Sequence, residues 1–175
     1  MFLELIATFV AGVAAGGIVL GLVKLTGNRL PRALIPIGAG LAMIGFAIWS
    51  EYNWFPRNVA NLPEGHVVVR TNESRSVLRP WTFAAPFVDR FVSVQPSAAL
   101  THPDRPDERL VEVFVFGRWA PLARVPVLLD CAESRRADLI DGTEFAADGT
   151  IEGAEWIALD DADPLLRAVC DADAG

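Results

Sequence analysis

Two apolar stretches joined by a short basic loop open the chain, and they constrain everything that follows. The first, from Phe2 to Val23, carries one charge, Glu4; the second, from Ala33 to Trp49, carries none. About twenty apolar residues at ~1.5 Å rise cover the ~30 Å hydrocarbon core of a bilayer, so the spacing predicts spans over about 2–23 and 33–50. The loop between them holds Lys24, Arg29 and Arg32 and no acid. Short loops rich in Lys and Arg stay on the cytoplasmic side, which sends Met1 and all residues beyond the second span to the other side. A cleaved signal peptide would begin with basic residues. Here none precedes the apolar run, which continues past the small residues Ala14 to Gly17 up to Val23. The first stretch therefore reads as a retained span.

Trp49, Tyr52, Trp54 and Phe55 follow as an aromatic belt of the kind found at headgroup level. Pro56 and Pro63 are expected to stop any helix, leaving 56–63 as a linker after a hairpin unit of residues 1–55. Glycines four apart expose backbone to a neighbouring helix. Gly12 with Gly16, Gly17 with Gly21, and Gly38 with Ala42 have that spacing. They serve either to pack the two spans together or to dock on another integral membrane protein. No ionisable residue lies in the middle of either span, which argues against a transporter or proton channel.

Charge divides the chain. Residues 1–63 carry net +2, residues 64–129 net +1, and residues 130–175 net −10. An acidic outer part excludes a nucleic-acid-binding role, which needs a basic face for phosphates. Arg70, Arg75, Arg79, Arg90, Arg118 and Arg124 all precede the acidic third. They pair with internal carboxylates or sit in water, or else they face lipid headgroups, in which case the acidic third points outward and attracts basic soluble proteins, cytochrome c-like carriers among them.

Residues 64–175 read as one outer domain. Pro63 to Gly65 is a turn, and His66 to Thr71 a β-branched strand. Asn72 to Ser74 resembles a turn. Residues 81–83 and 90–94 read as further strands, and residues 100–107, polar and proline-punctuated, as a loop. From Leu110 to Phe116 the alternation is clear, with Val111, Val113 and Val115 on one face and Leu110, Glu112, Phe114 and Phe116 on the other. Val125 to Leu129 is another strand. Asp148-Gly149 signals a hairpin between residues 144–145 and Ile151, and residues 156–159 form a last strand. Asp163 followed by Pro164 starts a short helix, and the residues after Cys170 are expected to fray. The likeness of Arg79-Pro-Trp81 to Arg118-Trp119-Ala-Pro121 is too short to make a repeat. The fold class is α+β: a transmembrane helical hairpin, then a small, mostly antiparallel β domain closed by a short C-terminal helix.

The only cysteines, Cys131 and Cys170, both lie beyond the second span. An oxidising compartment would let them pair, whereas the alternative is two buried thiols. The sequence contains no Gly-x-Ser-x-Gly, no phosphate loop, no dinucleotide fingerprint and no Cys-x-x-Cys, so it implies no catalytic set and no cofactor. His66 and His102 are unrelated in position and make a weak case for a metal. The Asp160, Asp161, Asp163 run reads as a solvated helix start.

The segments GNRLP at 27–31, IWSEY at 48–52, FGRWAP at 116–121, VPVLLDC at 125–131 and RRADL at 135–139 resemble the small two-span inner-membrane proteins of alphaproteobacteria. That family carries no assigned activity, so the resemblance implies a bacterial inner-membrane setting and transfers no catalytic residue. One lysine against fourteen arginines fits a GC-rich bacterial gene. These readings converge on a non-enzymatic periplasmic domain anchored in the bilayer as an accessory or assembly subunit of a larger complex, for instance a respiratory one. The rivals are a ligand-binding or sensing module, which needs a deep apolar pocket, and an enzyme with an unfamiliar site around His66 or His102.

Overall fold

The computed structural model describes residues 2–27, 29–77, 79–139, 144–145, 151–152 and 155–171, the side chains of 144, 145, 151 and 152 excepted. The chain divides into two compact units, Met1–Trp54 and Phe55–Gly175.

The first unit is an antiparallel pair of helices, α1 (Phe2–Leu25) and α2 (Leu34–Tyr52), both long and apolar enough to cross a membrane. At ~1.5 Å per residue they measure roughly 36 and 28 Å. Pro36 lies in the first turn of α2, where its missing N–H disturbs no intrahelical bond. The glycines set how closely the helices approach. A methyl group added at Gly12 would stand 2.7 Å from Met43 Cγ, and one at Gly38 2.8 Å from Val19 Cγ2; at Gly16 it would meet Ala39 Cβ at 3.7 Å. These three glycines therefore face the partner helix. Gly17 and Gly21 do not, because a side chain there meets nothing within 4 Å. Ala42 is half-buried. At the end of the hairpin away from the basic loop, the Ser50 hydroxyl donates to Glu4 Oε1 at 2.9 Å. This bond gives the one acid of α1 a partner near the helix end.

The second unit begins within a short helix, α3 (Trp54–Ala60), which runs through Pro56, a residue expected to stop any helix. Pro56 is its third residue, and a proline in the first turn starts a helix rather than stopping it. A turn follows in which Gly65 takes φ +83°, a conformation costly for a residue with Cβ, and His66 N–H donates to Pro63 O at 3.3 Å. The chain then builds an antiparallel sheet from β1 (Val67–Ser74), β2 (Phe87–Val94), β3 (Leu100–His102), β4 (Arg105–Gly117), β5 (Ala123–Asp130), β6 (Arg135–Asp138) and β9 (Trp156–Ala158). The strand order is β1-β2-β4-β5-β6-β9, with β3 beside the first half of β4. A separate two-stranded pair joins β7 (Glu144–Phe145) to β8 (Ile151–Glu152); the Asp148-Gly149 turn between them lies outside the described residues. Of residues 171–175, expected to fray, 172–175 lie outside them as well.

Three local expectations are corrected. Residues 81–83 belong to a 3-10 turn, Pro80–Phe83, because Pro80 presets its first dihedral and its backbone bonds close locally. Asn72 to Ser74 continue β1, paired with Arg90, Val88 and Phe87. Residues 100–107 form the β3–β4 hairpin: Pro103 falls in its turn and Pro106 at a register shift, positions where no ladder N–H is required.

Strand alternation gives the sheet two unlike faces. On one, Val69, Val94, Val111, Val113, Val127 and Leu129 pack with Leu165, Leu166 and Val169 of the terminal helix, α4 (Pro164–Cys170), as the buried core. The Asp163 carboxylate caps that helix by accepting from Leu165 N–H at 2.9 Å. The Cys131–Cys170 disulfide, with Cα atoms 5.9 Å apart, joins the last turn of α4 to the end of β5.

Two outcomes are expected. Gly38→Ala forces a methyl group onto the stiff Val19 side chain and destabilises the hairpin by about 1–3 kcal/mol, whereas Gly17→Ala leaves it unchanged within error, read by thermal unfolding of the full chain in mild detergent. Replacing Cys131 and Cys170 together by Ala lowers the stability of the outer domain by about 2–4 kcal/mol, measured by denaturant unfolding of the full chain against the oxidised parent.

Candidate functional site

The antiparallel path gathers the β1–β2 and β4–β5 connections at one end of the sheet. Ser74, which closes β1, pairs with Phe87, which opens β2; Arg90 pairs with Gly117 at the end of β4; Val115 pairs with Ala123 at the start of β5. Arg118 N–H extends the ladder to Asp89 O at 2.8 Å. Residues 75–86 and 118–122 thus lie side by side although some thirty positions separate them in sequence.

The longer connection is held by one buried hydroxyl. Thr82 is fully buried; its Oγ1 accepts from Ser76 N–H at 2.9 Å and donates to Arg79 O at 2.7 Å. On either side of it Trp81 and Phe83 are exposed, Phe83 to 56%. Val77 is 84% exposed, and on the shorter connection Trp119 and Leu122 are exposed to 59% and 46%. Single exposed apolar residues are ordinary, but five on two adjoining connections are not.

Cations surround them. Arg79 lies over the Phe87 ring at 5.9 Å, Arg118 over Trp119 at 5.2 Å, and Arg124 over Phe114 at 5.5 Å. Arg75, Arg90 and Arg124 are exposed. No Asp or Glu occurs between residues 74 and 88 or between 113 and 129. Phe55, the first residue of this unit, packs edge-on against Phe91 at 5.4 Å, and Phe91 stacks on Phe116 at 4.6 Å, one residue from Gly117. Phe55 is thus spent on the sheet.

The opposite end is acidic and largely occupied with its own structure. Asp130 is buried: Oδ1 accepts from Ala132 N–H and Glu133 N–H, each at 3.1 Å, and Oδ2 from Arg135 Nε at 2.9 Å. Arg135 also meets Glu133 at 2.9 Å and covers the Trp156 ring at 4.4 Å. Arg105 pairs with Glu108 at 2.7 Å, and Asp161 accepts from the Ser134 hydroxyl at 2.7 Å. Of the six arginines singled out in the sequence, Arg70 is bonded across the fold to Asp163 at 3.2 Å, so it serves the α4 cap rather than a lipid surface. Asp163 is accordingly tied down and not free in solvent, while Asp160 and Asp161 are exposed.

The histidines are not brought together. The His66 ring packs on Phe114 at 5.1 Å, and its Nδ1 is buried with no hydrogen-bond partner among the described residues. His102, at the end of β3, accepts from Asp104 N–H at 3.3 Å in the open. Among the described residues no group of three or more His, Cys, Asp or Glu could hold a metal ion. On the face opposite the α4 core lies an open groove of about 400 Å³ lined by Leu100, Leu110, Glu112, Phe114 and Pro126. Comparison with protein-family models, curated proteins and solved structures returns no match.

Sequence reading singled out the arginines but missed Trp81, Phe83, Trp119 and Leu122 as a set. The signal available was the Arg-Pro-Trp and Arg-Trp-Ala-Pro pair of segments, which share no periodicity yet meet at one end of the sheet. Thr82→Val is expected to leave Ser76 N–H unsatisfied and to cost about 1–3 kcal/mol, with faster amide exchange confined to residues 75–86, read by denaturant unfolding and hydrogen exchange of the full chain.

Proposed function

We propose that the chain is a non-enzymatic accessory or assembly subunit of a larger bacterial inner-membrane complex, with its β domain in the periplasm. The observation that carries this reading is the division of glycines in the hairpin. Gly12, Gly16 and Gly38 are consumed by contact between α1 and α2, whereas Gly17 and Gly21 leave a second close-approach strip on α1 open. Lipid tails gain little from such a strip, because a larger apolar side chain would serve them equally well; a further transmembrane helix uses it for close van der Waals packing. The orientation rests on Lys24, Arg29 and Arg32 in the loop, and the paired cysteines of the outer domain suit an oxidising compartment. Exposed acids at the far end of the sheet, Asp104 and Asp160 among them, suit an encounter with a basic soluble protein.

The second reading, a ligand-binding or sensing module, is favoured by the groove beside Phe114. Its polar lining is sparse, so it would take an apolar ligand. Native-condition extraction separates the two. The accessory subunit is expected to migrate well above its 18.9 kDa with a membrane partner, and the paired change Gly17→Leu, Gly21→Leu to release it at unchanged abundance. Migration as a lone chain in every mild detergent tried counts against the complex.

A further inference from the structure

We propose that the end of the β domain carrying Trp81, Phe83, Trp119 and Leu122 docks on the anionic surface of the bilayer in which the hairpin is anchored. Three independent features of that end select a lipid surface as its occupant.

The first is composition. Indole and phenyl rings beside guanidinium groups suit the boundary between headgroups and acyl chains: rings and aliphatic groups enter the apolar edge while the cations meet phosphates. Trp81, Phe83, Trp119 and Leu122 supply the apolar part and Arg75, Arg90 and Arg124 the exposed cations. The second is sign. The two connections contain no acid; at their edge stand only Glu73 and Asp89, the latter accepting from Asn72 Nδ2 at 3.0 Å, against Arg75, Arg79, Arg90, Arg118 and Arg124, while Asp104, Asp107, Glu108, Asp130 and Glu133 lie toward the other end. An anionic surface attracts the first end and repels the second, so the field orients the domain as well as holding it.

The third is the tether. The domain begins at Phe55, directly after a helix able to cross a membrane, and Phe55 is fixed to Phe91 and through it to Phe116 at the end of β4. A surface held to the bilayer by so short a connection meets it at high effective concentration, so weak individual contacts suffice. The patch is also preorganised. Thr82 ties down the loop that displays Trp81 and Phe83, and the Asp89–Arg118 ladder bond holds the loop that displays Trp119.

The inference rests on the hairpin spanning a bilayer but not on any protein partner, so the sizing experiment and the one below can fail separately. The full chain is reconstituted in nanodiscs of phosphatidylcholine, or of phosphatidylcholine with phosphatidylglycerol, with and without bromine on the upper acyl positions. Bromine quenches tryptophan only on contact. The expected result is that Trp81→Phe and Trp119→Phe each lower the quenched fraction of the emission, whereas Trp156→Phe, removing an indole held by Arg135 in the acidic half, raises it. The paired change Arg75→Glu, Arg124→Glu, at exposed positions, should lower quenching in the phosphatidylglycerol discs, and added salt should do the same to the parent. Quenched fractions that Trp81→Phe and Trp119→Phe leave unchanged or raise would overturn the docking. Quenching indifferent to charge reversal, to salt and to phosphatidylglycerol would overturn the anionic surface as its occupant.

Discussion

The burial of one valine-rich sheet face under a seven-residue helix decides where every other side chain of the outer domain goes. Leu165, Leu166 and Val169 of α4 cover the face that Val94, Val111, Val113, Val127 and Leu129 offer. Each fully buried aliphatic side chain contributes about 1.5–3 kcal/mol, and a helix too short to be stable alone exists because of that burial. Two covalent or charged ties hold it in register: the disulfide to Cys131 at its C-terminus, and the Asp163 cap, itself bonded to Arg70, at its start. With the inner face settled by α4, period-two alternation commits Phe91, Phe114 and Phe116 to the other face, where Phe55 and His66 pack on them.

From that arrangement follows the polarity of the domain. Strands of an antiparallel sheet deliver their connections alternately to two ends, so residues far apart in sequence share an end by topology alone. The arginine-bearing connections arrive together at one end, and the turns rich in Asp and Glu at the other. At the acidic end much of the charge is structural. The Asp130 carboxylate accepts two backbone N–H groups and faces Arg135, which organises the turn that presents Cys131 to α4. The acid run is therefore partly scaffold rather than wholly a surface for partners.

The hairpin obeys a different physics. In hydrocarbon there is no burial of apolar area to gain, so contact geometry decides which helix faces meet. All six small residues at four-residue spacing look equivalent along the sequence. Only the rotation of α1 against α2 distinguishes Gly12, Gly16 and Gly38, which touch the neighbouring helix, from Gly17 and Gly21, which do not.

What the sequence alone determined was whatever depends on neighbours a few positions away. The two helices able to cross a membrane, the alternation of β4, the strand at Val125 to Leu129 and the Asp163-Pro164 helix start all follow from short-range period or capping chemistry. The pairing of Cys131 with Cys170, one of two readings open to the sequence, was closed by the docking of α4. Tertiary structure alone decided the rest. Proline patterns at 56, 80, 103 and 106 admit more than one backbone, and it was packing that made them a helix turn, a 3-10 turn, a hairpin turn and a register shift. The arrival of Trp81 and Trp119 at one end of the sheet, and the sorting of glycines into used and open faces, depend on strand order and helix rotation. Contacts between distant segments set both, and no local periodicity encodes them.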